Sequence, residues 1–85
     1  MNAIVIGGLL NGTIEDDNCP SFSYGWKWTF NGKEEKCVDY YELVVDEDGR
    51  WYRFVKSDRY MDIIETLSDV EFKRRKEEYE SNKNN

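Results

Sequence analysis

Histidine is absent from the 85 residues, proline occurs once and cysteine twice. No apolar run approaches the roughly 18 residues that would span a bilayer. Each shortage removes a class of function. Without imidazole the commonest general base is missing, and a cysteine nucleophile lacks its usual partner, so no enzyme is expected. Cys19 and Cys37 match no zinc spacing and have no histidine to complete a site. No charged-then-apolar leader is read at the start, which gives the expectation of a cytoplasmic protein with reduced thiols, contacting no membrane. The sequence leaves a bridge between Cys19 and Cys37 open. Basic residues are also in deficit, 12 against 18 acidic, for a net charge of −6. That balance excludes nonspecific nucleic-acid binding, in which Lys and Arg must neutralise phosphates. It permits the reverse, an acidic protein seated in a basic groove of another protein, and it also serves solubility.

The chain is organised around residues 40–56, read as a hairpin. Tyr40-Tyr41-Glu42-Leu43-Val44-Val45 and Arg50-Trp51-Tyr52-Arg53-Phe54-Val55-Lys56 are rich in β-branched and aromatic residues, which suit a pleated, half-buried surface. Between them lie the turn formers Asp46-Glu47-Asp48-Gly49. A four-residue loop sets Val45 against Arg50, Leu43 against Tyr52, Glu42 against Arg53 and Tyr41 against Phe54. A three-residue loop would oppose Leu43 to Arg53 and Glu42 to Phe54, a poorer match, so the four-residue loop is preferred.

Upstream, Ala3-Ile4-Val5-Ile6 reads as a short buried strand stopped by Gly7-Gly8. Asn11-Gly12 predicts a type I′ turn with Leu10 and Thr13 as the first pair beyond it. Residues 15–23 read as a loop. Residues 24–30 alternate, with Trp26, Trp28 and Phe30 on one face, and Asn31-Gly32 predicts a second tight turn. Strands 24–30, 33–45 and 50–56 then form a consecutive antiparallel meander, with the first strand at its margin. Beyond Val55 the period becomes helical. Tyr60, Ile63, Ile64 and Leu67 make one apolar stripe, predicting a helix over 58–67 capped by Ser57 or Asp58. Ser68 with Glu71 forms a capping box, and Leu67 with Phe72 a hydrophobic staple, for a second helix over 69–79. Glu71/Arg75, Lys73/Glu77, Arg74/Glu78 and Lys76/Glu80 are opposite charges at i, i+4 along it. The fold class is therefore α+β: a small antiparallel meander of about four strands, with barrel-like curl as an option, followed by one or two C-terminal helices. It forms one domain over 1–85 with a frayed tail at 81–85. A chain this short buries about 60–65% of its unfolded surface, so stability near 5 kcal/mol is expected unless it oligomerises.

Two sets of residues can carry binding. In the first, Trp26, Trp28, Trp51 or Tyr52 stacks a base while Arg50 or Arg53 reaches a phosphate. Backbone N–H groups around Gly7, Gly8 and Gly12 could form an anion-binding nest, although the two leading glycines better suit a bulge or tight bend in a strand. In the second set, Glu15, Asp16, Asp17, Asp46, Glu47 and Asp48 present acid to a basic partner, imitating nucleic acid. Both acidic runs also read as solvated turns. Neither has the glycine and terminal glutamate of a helix–loop–helix calcium site, and no metal or cofactor is expected.

Ile4-Val5-Ile6-Gly7-Gly8-Leu9-Leu10-Asn11-Gly12-Thr13 resembles the opening of short phage-encoded proteins that begin with a small strand and then Gly-Gly-Pro-Leu-Asp-Gly. Leu9 stands where those have proline, and Asn11 where aspartate is common. The resemblance covers about the first fifteen residues and, loosely, the layout of a later Tyr-rich strand pair and a charged helix. It implies a phage accessory protein, acting in the cytoplasm of an infected bacterium, that counters host defence by binding. On that reading it either sequesters a nucleotide-like signal or blocks a host protein, with a homo-oligomeric or purely structural phage protein as the alternative.

Overall fold

The computed structural model describes residues 1–58, 63–64 and 67–83. Strands β1 (Asn2–Ile6), β2 (Ile14–Asp16), β3 (Ser21–Phe30), β4 (Lys33–Asp46) and β5 (Gly49–Asp58) are followed by the two-residue strand β6 (Ile63–Ile64) and helix α1 (Asp69–Lys83). They form one curled sheet in the order β2-β1-β5-β4-β3, with β6 attached to β5. This is an α+β fold, and the meander β3-β4-β5 is antiparallel as expected.

The sheet as a whole is mixed, because β1 lies parallel to β5 with Ile4 beside Trp51 and Val5 beside Tyr52. This corrects the all-antiparallel expectation. Alternation tells which face a residue occupies but not which way its neighbour runs. β5 consequently has strands on both edges and cover on both faces, which accounts for its run of large residues.

In the β4–β5 hairpin Val45 faces Arg50, Leu43 faces Tyr52, Glu42 faces Arg53 and Tyr41 faces Phe54, as the side-chain match requires. Pairing continues one step further, to Asp46 with Gly49, so the loop is tighter than four residues. The Asp48 amide donates to Asp46 Oδ1 at 2.9 Å and closes the bend. Asn31 and Gly32 both have positive φ, the type I′ signature. At the first Asn-Gly only Gly12 does, and the Thr13 amide donates to the Leu10 carbonyl at 3.0 Å. That is the type II pattern rather than the expected I′. The expected loop at 15–23 shrinks, since β2 takes Glu15 and Asp16 and β3 begins at Ser21.

Each face of the sheet carries a core. On one, Ala3, Val5, Tyr41, Tyr52 and Phe54 are buried, with Leu10, Phe22, Leu43 and Leu67 packed around them. On the other, Ile6, Trp51 and Phe72 are buried against Ile4, Val44, Leu67 and Tyr79. Helix α1 therefore covers the Trp51 face. Full burial of side chains this size contributes about 2–3 kcal/mol each. The predicted helix over 58–67 is not formed at Ile63–Ile64, which pair with β5 at Asp58 and Ser57. Tyr60 of its stripe lies outside the described residues. The second helix starts where predicted: the Glu71 amide donates to Ser68 Oγ at 3.2 Å, and Leu67 and Phe72 share one cluster.

Candidate interaction surface

The glycine loop is the first candidate, and the N–H groups of Gly7, Leu9, Leu10 and Gly12 are engaged within the chain. Gly7 N donates to Asn11 Oδ1 at 2.7 Å, and Gly12 N to the Val5 carbonyl at 2.7 Å. Leu9 N donates to Asp39 Oδ2 at 2.9 Å, and Leu10 N to the Tyr41 hydroxyl at 3.2 Å. Asp39 is fully buried and also accepts from Ser57 Oγ at 2.6 Å. The loop thus holds an anion, but the anion is the protein's own carboxylate. Tyr41 donates in turn to the Gly7 carbonyl, and burial pushes its phenol up to about 12. Gly8 is required here: its φ is +66°, and a Cβ would collide with the Tyr41 hydroxyl and the Phe54 ring. Sequence reading missed Asp39. The available signal was its parity, in phase with Cys37, Tyr41 and Leu43 on one face of β4.

The stacking and phosphate candidates are engaged as well. Trp51 and Tyr52 are each only 1% exposed. Trp51 packs edge-on against Tyr79 and donates from Nε1 to Asp46 Oδ1 at 3.1 Å. Tyr52 donates to the Cys19 carbonyl at 2.7 Å and to that of Asp16 at 3.2 Å, fastening the β2–β3 loop. Arg50 is ion-paired with Asp17. Arg53 donates to Asp69 at 2.8 Å and to the Leu67 carbonyl, and lies over the Phe72 ring, so it fixes the start of α1.

The acidic set is divided. Asp17 is committed to Arg50. Burial opposes its ionisation, but the arginine outweighs this and holds the carboxyl below its ordinary range. Asp46 and Asp48 receive the Lys76 ammonium at 2.6 and 3.3 Å. Lys76 sits in the apolar stripe of α1 between Phe72 and Tyr79, buried, with its ammonium over the Trp51 and Phe72 rings. It turns from the expected Glu80 to clamp helix to hairpin. Burial likewise opposes ionisation of Asp46, and the bonds from Lys76, the Asp48 amide and Trp51 prevail. Glu15, Asp16 and Glu47 make no ion pair among the described residues. Cys19 and Cys37 are both free thiols, the first exposed and the second buried.

What remains for an outside partner is the distal half of the β3–β4 hairpin. β4 pairs with β5 only from Val38 onward, so Lys33–Cys37 and the facing residues of β3 form a ribbon two strands wide among the described residues. Phe22, Tyr24, Trp26 and Trp28 share one face of β3. Phe22 is drawn into the core against Tyr41 and Tyr52, whereas Tyr24 and Trp28 are 41% and 36% exposed. Trp26 is half-buried opposite Cys37. A depression of about 220 Å³ beside the ribbon is lined by Gly25, Trp26, Lys27, Lys36, Cys37 and Val38. Lys27 lies on the opposite face from the rings, paired with Glu34 at 3.1 Å. The residue across from Trp28 is Glu35. No helix among the described residues is long and apolar enough to cross a membrane.

No known protein family, curated protein or solved structure matches the chain.

Proposed function

We propose that the chain is a non-catalytic binding protein that acts by covering a protein partner with its β3–β4 ribbon. In the setting that its N-terminal resemblance implies, a phage accessory protein countering host defence, the partner is a host protein. One contrast carries this reading. Arg50, Arg53, Trp51, Tyr52 and the amides of Gly7, Leu9, Leu10 and Gly12 serve the fold itself, while Trp28 stands exposed on a ribbon beyond the packed sheet and Tyr24 stands exposed at the root of that ribbon. Exposed aromatics flanked by polar residues are the composition of interface centres. A nucleotide is a poorer match to this surface. The carboxylate of Glu35 lies across from Trp28, and Lys27 is on the other face.

The test compares capture of a host protein by the native chain with capture by Tyr24→Ala and Trp28→Ala. Loss of an aromatic anchor costs about 2 kcal/mol, or roughly thirtyfold in affinity. The expected result is loss of capture in both variants with unchanged circular dichroism. A nucleotide panel should leave tryptophan fluorescence flat. Saturable quenching by any nucleotide, or full capture by both variants, would overturn the reading.

A further inference from the structure

We infer that β3 is a self-pairing edge, and that two copies of the chain join β3 to β3, antiparallel about Gly25, into one continuous sheet. The backbone shows which groups are available. The two-residue Asn31-Gly32 turn makes Phe30 and Lys33 a hydrogen-bonded pair, and bonding then alternates along the ladder. At the far end the Leu43 amide donates to the Pro20 carbonyl at 2.8 Å, in the same phase. Phe22, Tyr24, Trp26 and Trp28 therefore bond to β4. Ser21, Ser23, Gly25, Lys27 and Thr29 turn their N–H and C=O groups outward, where β3 has no neighbouring strand among the described residues.

The two sheet edges differ in protection. β2 is three residues long and carries Glu15 and Asp16. β3 is ten residues long and holds no proline and no acid, with Lys27 as its one charge. Edges are normally guarded by shortness, proline, a bulge or several charges, and β3 relies on one lysine. The occupant follows from charge and parity. Each copy carries −6, so two copies meet at least cost where acid is absent, and β3 is such a stretch. Only odd-numbered residues can bond across the new seam. Every permitted register therefore places the aromatic rows of both copies on one face. Centring on Gly25 uses all five outward residues of each copy, for about ten N–H···O=C bonds. It sets Tyr24 against the second copy's Trp26, Phe22 against its Trp28, and Lys27 against its Ser23. Centring on Lys27 would oppose two ammonium groups, and centring on Trp26 leaves Ser21 unused. The assembly closes after two copies, because both β3 edges are consumed. This inference stands apart from the partner reading, since it is measured on the chain alone.

Sedimentation velocity on the full chain from about 1 to 100 μM tests it, the range suited to a small interface. A reversible monomer–dimer equilibrium is expected. Ser23→Lys places two lysines opposite each other and should weaken the dimer at least tenfold. Ser23→Glu should tighten it, and Ser23→Lys with Lys27→Glu should restore it. Ser23→Pro removes an outward N–H without touching the β4 ladder and should give a monomer with native circular dichroism. A monomer at every concentration would overturn the inference. So would a dimer indifferent to Ser23→Pro, or a charge swap that fails to restore pairing.

Discussion

Replacing Asp39 is the perturbation whose cost follows most directly from the contacts. The carboxylate is fully buried and accepts from Ser57 Oγ at 2.6 Å and Leu9 N at 2.9 Å. A hydrogen bond to a charged group contributes about 1.5–3 kcal/mol, and a buried donor left without an acceptor costs about 1–3. Against this stands the desolvation of the carboxylate itself, several kcal/mol that Asp39→Ala no longer incurs. The net loss is about 3 kcal/mol, more than half the stability expected of a domain this size. Asp39→Asn keeps the volume and one acceptor and should lose about 1–2 kcal/mol. Ser57→Ala should lose a similar amount, and the double variant less than the sum, because the two share one bond. Urea unfolding followed by tryptophan fluorescence gives the free energies. Amide exchange at Leu9 and Leu10 gives the local effect, with protection falling in Asp39→Ala beyond the global change. If Asp39→Ala unfolds within about 0.5 kcal/mol of the native chain, or the exchange of Leu9 and Leu10 does not change, the carboxylate is not what fastens the glycine loop. Millimolar phosphate should not raise the melting temperature of the native chain. A rise would show the loop open to outside anions.

Three further outcomes follow from the same contacts. Lys76→Ala removes both the ammonium that holds Asp46 and Asp48 and the stem packed on Trp51 and Phe72, and should cost about 3 kcal/mol in urea unfolding; Lys76→Met keeps the stem and should cost less than half of that. Gly8→Ala should cost more than about 2 kcal/mol, since alanine is strained at φ +66° and its Cβ meets Tyr41 and Phe54; an expressed variant with native thermal stability would contradict the geometry. The pH profile of the melting temperature should fall at both ends. The folded pKa values of Asp17 and Asp46 lie below 3.8, and that of Glu71 falls to about 2 under its bonds from Arg74 and Arg75. Their contribution is complete above the ordinary carboxylate range and is lost as pH drops below about 4. Burial raises Tyr41 to about 12, and Lys76, raised by its two carboxylates against the opposing effect of burial, lies above 10.5. Their contribution is complete below pH 10 and is lost above it. A melting temperature still flat at pH 3 or at pH 11 would contradict these partners.

Local features were the most legible from sequence. The β4–β5 register followed from matching Leu43 with Tyr52 and Tyr41 with Phe54, and the second tight turn from Asn31-Gly32. The helix start followed from Ser68 and Glu71. What the chain does over long range was hidden. Ile63 and Ile64 fit a helical stripe and a strand equally, and proximity to Ser57 and Asp58 of β5 decided between them. Lys76 has Glu80 one turn on, so its local partner concealed the distant Asp46. Arg50 and Arg53 read as free cations because Asp17 and Asp69 lie far off in sequence. The proposed binding surface was half legible: Trp26 and Trp28 alternate visibly along β3. That Trp51 and Tyr52 are covered depends on α1 and the β2–β3 loop, which no local pattern reveals.

The exposed rings on the aromatic face of β3 are the surface proposed to meet a partner. A photo-crosslinking amino acid placed at position 28 on the ribbon, and in a second sample at position 47 on the β4–β5 turn, tests this directly in host extract. A discrete crosslinked host protein from position 28 and none from position 47 is the predicted result. Crosslinking from position 47 alone would contradict it and assign the contact to the acidic end.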